Sequence, residues 1–142
     1  MSSLLDRLLR PLANAAYRVV RKRARGRLGV HAIALTPERR VVLVKLRYAR
    51  GWRLPGGGRG EHEDPCEAGL RELREEIGMT SHGTVRLALP GDDELILVTD
   101  VEYRPRRWSW EVQDIMERSL DQLPADLSPI SQRWLRAARG RI

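Results

Sequence analysis

Residues 55–78 constrain the fold of this chain more than any other segment. Three successive glycines stand at positions 56–58, where the backbone can turn tightly or approach a ligand closely, so we expect a loop there. Residues 65–77 then have helical spacing: Pro65 suits the first turn of a helix, and Gly78 suits the position just after its end. The chain must therefore accommodate a helix of defined length that is entered through a glycine loop.

Short apolar runs on both sides of this segment have the composition of β-strands. The first two are separated by the turn-forming residues 36–40, which predicts a hairpin. Ser128 and Pro129 suit the cap and the first position of a closing helix. The pattern predicts an α+β fold, an α/β/α sandwich in which helices flank a mixed sheet. The expected strands cover residues 27–35, 41–47, 52–54, 85–89, 95–103 and 108–116, and the closing helix covers residues 128–138.

The first 27 residues carry eight basic side chains and one acidic side chain, a net charge of +7 that equals the net charge of the whole chain. A leucine-rich stripe at helical spacing predicts an amphipathic helix over residues 3–22, interrupted at Pro11. We therefore divide the chain into a basic helix at residues 1–24 and a domain at residues 25–142. The helix is expected to pack on the domain or on a second subunit, as in a homodimer. Peripheral contact with a membrane surface is the alternative, because its polar face is rich in arginine.

The composition excludes several classes of protein. Cys66 is the only cysteine, so no intramolecular disulfide can form, and the reducing cytoplasm is the expected location. No apolar run approaches the roughly 20 residues of a membrane-spanning helix, so no transmembrane segment is expected. Residues 28–142 carry equal numbers of basic and acidic side chains. With no recognised motif that combines basic and stacking side chains, a nucleic-acid-binding protein is disfavoured, apart from an enzyme that acts on an RNA 5′ end.

Three carboxylates share one face of the expected helix. Glu72, Glu75 and Glu76 stand at positions i, i+3 and i+4, where like charges repel each other. A solvated face of Glu–Arg pairs is one interpretation, because Arg71 stands four residues before Glu75. A platform for Mg²⁺ is the other, because this cation prefers oxygen ligands. The glycine loop that precedes the helix favours the magnesium platform.

A longer pattern extends through this segment. It reads Gly57-x5-Glu63-x7-Arg71-Glu72-Leu73-x-Glu75-Glu76-x-Gly78-Met79, and it resembles the complete Nudix box, with every defining position filled. Residues 52–56 resemble the lead-in to that box, and a looser resemblance extends over residues 25–140. Two positions depart from the common pattern. His62 stands where relatives often have glycine, and relatives often carry a glutamate near the position of Gly60. Both departures concern the fit of the substrate rather than catalysis.

The resemblance implies the Nudix fold and a metal site on its loop–helix–loop segment. It implies that Glu72, Glu75 and Glu76 bind the metal through their carboxylates, and that Gly56 adds its backbone carbonyl oxygen. The expected cofactor is Mg²⁺, with Mn²⁺ as a substitute. When bound, such a cation neutralises phosphate charge and lowers the pKa of an attacking water.

The resemblance also implies roles for residues beside the metal. Arg71 and Glu63 would pair and orient the glutamates. One carboxylate would accept the proton of the attacking water. The candidates for this proton acceptor are Glu75 on the helix and, on later segments, Glu111, Glu94 and Asp93.

The implied activity is Mg²⁺-dependent cleavage of a nucleoside diphosphate linked to another moiety, by attack of water on phosphorus. Trp52 is a candidate for stacking on the substrate's base, and Trp108 and Trp110 are further candidates. Gly57 and Gly58 are expected to bring backbone close to the substrate. A nucleotide-sensing module without turnover and an RNA 5′-end pyrophosphohydrolase are the alternatives. The substrate stays open among nucleoside triphosphates, nucleotide sugars, dinucleoside polyphosphates and RNA ends.

Overall fold

The computed structural model describes residues 28–89 and 93–142. The expected helix at residues 3–22, and with it the boundary between residues 24 and 25, lies outside these ranges. Among the described helices, none is long and apolar enough to cross a membrane. The elements are β1 (Gly29–Ala34), β2 (Val41–Leu46), β3 (Trp52–Arg53), β4 (Gly56–Gly58), α1 (Pro65–Ile77), β5 (Met79–Ser81), β6 (Val85–Leu89), β7 (Asp93–Val98), β8 (Glu102–Tyr103), β9 (Val112–Arg118), α2 (Pro129–Ala138) and a 3-10 helix (Arg139–Arg141).

The described strands form three hydrogen-bonded groups. A mixed four-stranded sheet has the order β4-β1-β7-β6, in which β1 pairs in parallel with β7 and antiparallel with β4. A three-stranded antiparallel sheet has the order β3-β2-β9, and β5 pairs with β8. The mixed pairing confirms the predicted class of fold.

The central strands bury both of their faces. On β1, Val30 belongs to a buried cluster with Leu73 of α1, whereas Ile33 belongs to a second cluster with Leu135 of α2. Alternation along a strand sends neighbouring side chains to opposite faces, which explains why these runs are almost continuously apolar. Each fully buried side chain of this kind stabilises the fold by about 1.5–3 kcal/mol. The two helices therefore cover opposite faces of the strands, as an α/β/α sandwich requires.

The predicted hairpin between β1 and β2 is wrong. A tight turn does join them, and an isolated bridge links Leu35 to Val41. The strands then separate into different sheets, because β4 and β7 occupy the two edges of β1 while β3 and β9 occupy those of β2. A strand whose two edges are both occupied cannot also pair along its length with its neighbour in sequence.

The glycine segment is a strand rather than the expected loop. Residues Gly56–Gly58 form β4 and pair with Gly29–His31 of β1. A Cβ atom on Gly56 would lie 2.3 Å from the carbonyl oxygen of Val30, so only glycine permits this approach. The absent side chains thus serve close backbone pairing.

Two of the predicted strands have different limits. The run at residues 95–103 is divided into β7 and β8, because Asp100 has a φ of 50°, a left-handed conformation that interrupts a strand. The run at residues 108–116 becomes β9 only from Val112 onward, and residues 104–111 form a loop. The predicted limits of both helices are confirmed, with Ser128 as the cap of α2.

Candidate active site

Helix α1 fixes the orientation of the three glutamates. The Asp64 side chain caps its start by accepting a hydrogen bond from the backbone N–H of Glu67 (3.1 Å), and Gly78 ends it with a φ of 72°. Glu72 is 1% exposed and Glu76 is 5% exposed, whereas the side chain of Glu75 is 50% exposed. The helix therefore turns two carboxylates into the protein and leaves the third at its surface.

Glu76 connects the helix to the glycine strand. Its Oε1 atom accepts a hydrogen bond from the backbone N–H of Gly56 (3.3 Å). Burial of a carboxylate is costly unless polar partners or a cation compensate its charge. The glycine strand and the glutamate helix thus meet at the same place, as the sequence predicts.

Arg71 lies among the carboxylates. Its Nη2 and Nε atoms donate to the two carboxylate oxygens of Glu63, at 3.0 and 3.2 Å, and Nη2 also donates to the carbonyl oxygen of Gly58 (3.2 Å). Its Nη1 atom lies 3.4 Å from Glu72 Oε1 and 3.6 Å from Glu75 Oε1. The pairing of Arg71 with Glu63, expected from the resemblance, is present as a two-pronged ion pair.

This ion pair shifts the pKa values of both Glu63 and Arg71. The hydrogen bond from Arg71 lowers the pKa of Glu63 against the opposing effect of partial burial, and the backbone N–H of Gly60 (3.2 Å) acts in the same direction as Arg71. The hydrogen bond with Glu63 raises the pKa of Arg71. Both groups therefore stay charged at neutral pH, which fixes the loop before α1 to the glutamate face.

A second ion pair lies beneath this loop. Arg59 contacts Glu94 of β7, and both side chains are almost completely buried. Arg59 Nη1 also donates to the carbonyl oxygens of Gly60 and Glu63, at 3.2 Å each. Glu94, one of the expected proton acceptors, is therefore engaged by a guanidinium. The side chain of Asp93, its neighbour, lies outside the described part of the chain.

Glu111 lies on the loop that precedes β9 and is 5% exposed. Its Oε1 atom accepts a hydrogen bond from the hydroxyl of Tyr48 (3.0 Å), and its carbonyl oxygen accepts one from the backbone N–H of Arg47 (2.9 Å). A cavity of about 140 Å³ is lined by Glu76 together with Ser109 and Val112, the residues on either side of this part of the loop. The loop that carries Glu111 therefore forms part of the cavity wall, although Glu111 itself is not one of the lining residues.

The remaining predicted residues divide into two groups. Gly57 is buried and pairs with Val30, and Gly58 accepts a hydrogen bond from Arg71, so both lie beside α1. Trp52 packs against the second cluster, on the side of α2, and its backbone pairs with Asp126. The structure brings the glycines to the glutamates and leaves Trp52 apart from them.

A larger groove, of about 350 Å³, lies against α2. Its lining is mostly apolar and contains no carboxylate, so it lacks the ligands that phosphate-bound cations need. The smaller cavity beside Glu76 is therefore the candidate active site. The groove is lined by Leu120, Leu123, Pro124, Ala125, Leu127, Gln132, Leu135, Arg136 and Arg139.

Arg59 and Tyr48 were missed by the sequence analysis. Arg59 stands at an unspecified position of the box, and its partner Glu94 is 35 residues away. Tyr48 follows β2, and its partner Glu111 is 63 residues away. The spacing of neighbouring residues carries no information about such contacts between distant parts of the chain.

The donor set fits a hard divalent cation. Glu72 and Glu76 supply buried carboxylates on one helix face, and the backbone N–H of Gly56 on β4 donates to Glu76. Within residues 28–89 and 93–142, no three acidic, histidine or cysteine side chains converge into a closed cation cage. Mg²⁺ commonly takes one or two protein carboxylates and completes its shell with water and substrate phosphate, so such a cage is not required.

The family model of the NUDIX domain matches residues 25–138, which include every element described above. The chain belongs to the Nudix family. Nudix hydrolases generally use divalent metals. The resemblance predicted from residues 57–79 is confirmed.

Relatives of known name resemble the chain over different lengths. A stretch of 30 residues, 21% of the chain, is 60% identical to the RNA pyrophosphohydrolase of Brucella ovis, and it spans 17% of that relative. The structure of a MutT NUDIX hydrolase from Burkholderia pseudomallei has a TM-score of 0.66 and 24% identity, covering 78% of this chain and 96% of its own. A bifunctional NMN adenylyltransferase/ADP ribose pyrophosphatase from Francisella tularensis, in complex with AMP and a manganese ion, has a TM-score of 0.59 and 14% identity. The match covers 96% of this chain and 48% of the Francisella chain. The two solved structures are 24% and 14% identical to the chain, and likeness at such low identity establishes the fold alone.

Proposed function

We propose that this Nudix protein is a Mg²⁺-dependent hydrolase that cleaves a nucleoside diphosphate linked to another moiety. The observation that carries the proposal is the pair of buried carboxylates, Glu72 and Glu76, on the helix face beside the glycine strand. A binding module without turnover has no need to bury two neighbouring negative charges, which is costly without a cation. The non-catalytic alternative is therefore disfavoured.

The metal would draw its ligands from Glu72, Glu75 and Glu76 and from the carbonyl oxygen of Gly56, taking one or two of these carboxylates while water and substrate phosphate complete its shell. When bound, it would neutralise the charge that develops on the phosphate and make the attacking water more acidic. Arg71 would keep the glutamates in place, because its guanidinium contacts two of them and is itself fixed by Glu63. Mn²⁺ is the expected substitute, in keeping with the manganese complex of the Francisella relative.

The proton of the attacking water would go to Glu75 or to Glu111. Glu75 is exposed and is itself a proposed metal ligand, so it would accept the proton through a carboxylate oxygen that the metal leaves free. Glu111 is buried on the loop that borders the cavity, and its carboxylate accepts a hydrogen bond from the Tyr48 hydroxyl. Glu94 is a weaker candidate, because its carboxylate is already engaged in an ion pair with the Arg59 guanidinium. A new bond from the water oxygen to phosphorus would form as the anhydride bond breaks, and the leaving phosphate would depart as an anion.

The proposed substrates are nucleotides with a pyrophosphate bond. An RNA 5′ end is included because the Brucella relatives are RNA pyrophosphohydrolases. Stacking by Trp52, a location in the cytoplasm, a homodimer and membrane contact through residues 1–24 all stay predictions.

A panel assay tests the proposal. The full-length protein is incubated with nucleoside triphosphates, ADP-ribose, dinucleoside polyphosphates and 5′-triphosphorylated RNA, with Mg²⁺ or with EDTA. We expect release of phosphate, pyrophosphate or a nucleoside monophosphate from at least one compound in Mg²⁺, and none in EDTA. Turnover that survives chelation would contradict the metal mechanism, and binding without any turnover would favour the nucleotide sensor.

A further inference from the structure

The loop between β8 and β9 combines arginine and tryptophan side chains, a combination that the sequence alone did not lead us to recognise as a binding motif. Residues 104–110 read Arg-Pro-Arg-Arg-Trp-Ser-Trp, with three basic side chains, two indoles and no acidic side chain. We refer to this segment as the arginine–tryptophan loop. Its three arginines directly precede its two tryptophans, and the combination of basic and aromatic side chains is typical of surfaces that bind single-stranded nucleic acid.

Hydrogen bonds hold the loop near both of its ends. At its start, the backbone N–H of Arg104 donates to the carbonyl oxygen of Gly78, the residue that ends α1 (2.9 Å). Near its end, Arg47 Nε donates to the carbonyl oxygen of Ser109 (2.7 Å), and the Arg47 guanidinium lies over the ring of Trp108, 5.4 Å from its centroid. The start of the loop is therefore held at the end of the glutamate helix, and its far end is held by Arg47, which follows β2.

The loop also borders the cavity that contains Glu76. Pro105, Arg106 and Ser109 line that cavity together with the glutamate. A substrate whose phosphates reach the α1 glutamates would thus pass directly beside the loop. The remainder of a long substrate would then lie against the exposed residues that follow Arg106.

The exposed side chains of the loop have the chemistry of a polynucleotide site. Arg106 and Arg107 are exposed, and neither forms an ion pair within residues 28–89 and 93–142. Trp110 is 46% exposed, and its ring meets Trp108 edge-on, with 4.3 Å between centroids. A single exposed tryptophan is ordinary on a protein surface. Here an indole braced by a second one stands beside two arginines, so stacking on bases and pairing with phosphates are available together.

We infer that the arginine–tryptophan loop binds a single-stranded polynucleotide whose 5′ polyphosphate enters the glutamate site. This rests on the proposed function and specifies its substrate class. Hydrolysis would join the water oxygen to a 5′ phosphorus, break an anhydride bond and release phosphate or pyrophosphate, leaving a shorter 5′ phosphate on the chain. A mononucleotide would fill the phosphate site and leave most of the loop without a partner. RNA and DNA share the stacking and phosphate chemistry, so the experiment compares both.

The experiment measures kcat and KM of the full-length protein for a short 5′-triphosphorylated oligoribonucleotide, its DNA counterpart and a nucleoside triphosphate. The variants are Trp110→Ala, Trp110→Phe and the double variant Arg106→Ala/Arg107→Ala. Arg133→Ala, which removes an exposed arginine of α2, is the matched control. Residues 1–27 carry a net charge of +7 and attract any polyanion, so only variants of the same full-length chain are compared.

We expect Trp110→Ala to raise KM for the oligonucleotides about 5-fold to 100-fold more than KM for the nucleoside triphosphate, since stacking of one base contributes that much. Trp110→Phe should restore most of this difference. The double arginine variant should reduce the slope of log affinity against log salt by about 1.4 for single strands. Arg133→Ala should leave the ratio of the two KM values unchanged.

Two results would overturn the inference. One is an equal effect of the loop variants on oligonucleotide and nucleoside triphosphate. The other is salt-sensitive binding of the loop to anionic vesicles with no loss of oligonucleotide binding in the variants. Fluorescence anisotropy of a labelled oligonucleotide reports binding without turnover. If the variants weaken oligonucleotide binding but the protein hydrolyses nothing in Mg²⁺, the proposed function is refuted and the inference about the loop is supported. If the protein hydrolyses its substrates equally well with and without the loop side chains, the proposed function is supported and the inference about the loop is refuted.

Discussion

Glu63 joins the loop before α1 to Arg71, and its charge is needed for that contact. The pKa of Glu63 is lowered from its ordinary value of 4.5, mainly by the hydrogen bond from Arg71. A carboxyl with a lower pKa in the folded state stabilises that state above its unfolded pKa, and the contribution is lost as the pH falls through the folded pKa. The ion pair therefore stabilises the protein at neutral pH and ceases to do so in acid.

We predict that Glu63→Gln lowers the free energy of unfolding at pH 7, and that the difference from the wild type shrinks as the pH falls below about 4.5. Urea denaturation at a series of pH values measures this. Glu61→Gln, at an exposed neighbour, serves as the control. A difference that stays constant down to the lowest pH would show that the ion pair does not contribute in this way.

The buried pair of Arg59 and Glu94 behaves differently from a surface ion pair. Removal of one partner leaves an uncompensated buried charge, whereas replacement of both by apolar side chains is often neutral. We predict that Arg59→Ala and Glu94→Ala each cost about 3–5 kcal/mol of stability. The double variant Arg59→Met/Glu94→Leu should have a free energy of unfolding within about 1 kcal/mol of that of the wild type. Chemical denaturation of all three variants measures the coupling between the two side chains. A double variant whose loss of stability equals the sum of the two single losses would contradict the prediction.

At the level of single residues, the sequence predicted contacts that are local. Glu72, Glu75 and Glu76 share a face because helical spacing places them there, and Arg71 reaches Glu75 one turn away. The contact between Arg59 and Glu94 joins two segments through the tertiary fold, so no pattern of spacing reveals it. The role of Trp52 depended on which side of the strands it faces, which the sequence alone does not define.

Among the elements, α1 depends on its terminal glycine. Gly78 has a φ of 72°, and a Cβ atom there would lie 2.1 Å from the carbonyl oxygen of Arg104. We predict that Gly78→Ala costs at least about 1–3 kcal/mol, the usual cost of a left-handed backbone, with a further cost from the collision. Gly140→Ala is the control, since a Cβ atom at that position has open space within 4 Å. Thermal unfolding compares the two, and equal melting temperatures would contradict the prediction.

Both helices were predictable because their ends carry local signals. Pro65 and Gly78 delimit α1, and Ser128 and Pro129 begin α2, so their limits follow from a few neighbouring residues. The partners of the strands did not follow, because pairing is decided between distant segments. β2 pairs with β9, which begins at residue 112, and the glycine segment becomes a strand only because β1 offers an edge.

On the scale of the whole molecule, the strands separate two faces with different chemistry. The face covered by α1 holds the buried glutamates, the glycine strand and the arginine–tryptophan loop. The face covered by α2 holds an apolar groove without carboxylates. A sandwich whose core is closed on both sides keeps α1 fixed against the strands. The central claim is that the buried carboxylates on this fixed helix hold the metal that the reaction requires.

The replacement Glu76→Gln tests this claim most directly, because it removes one charge and keeps the size of the side chain. We predict that turnover at saturating Mg²⁺ falls by more than about 100-fold, beyond the usual effect of losing a residue that only orients a metal ligand. The fold should persist, and stability without metal should hold or rise as carboxylate repulsion is relieved. Glu67→Gln, on the exposed side of the same helix, should retain wild-type turnover. Wild-type rates in Glu76→Gln, with unchanged dependence on Mg²⁺, would contradict the account.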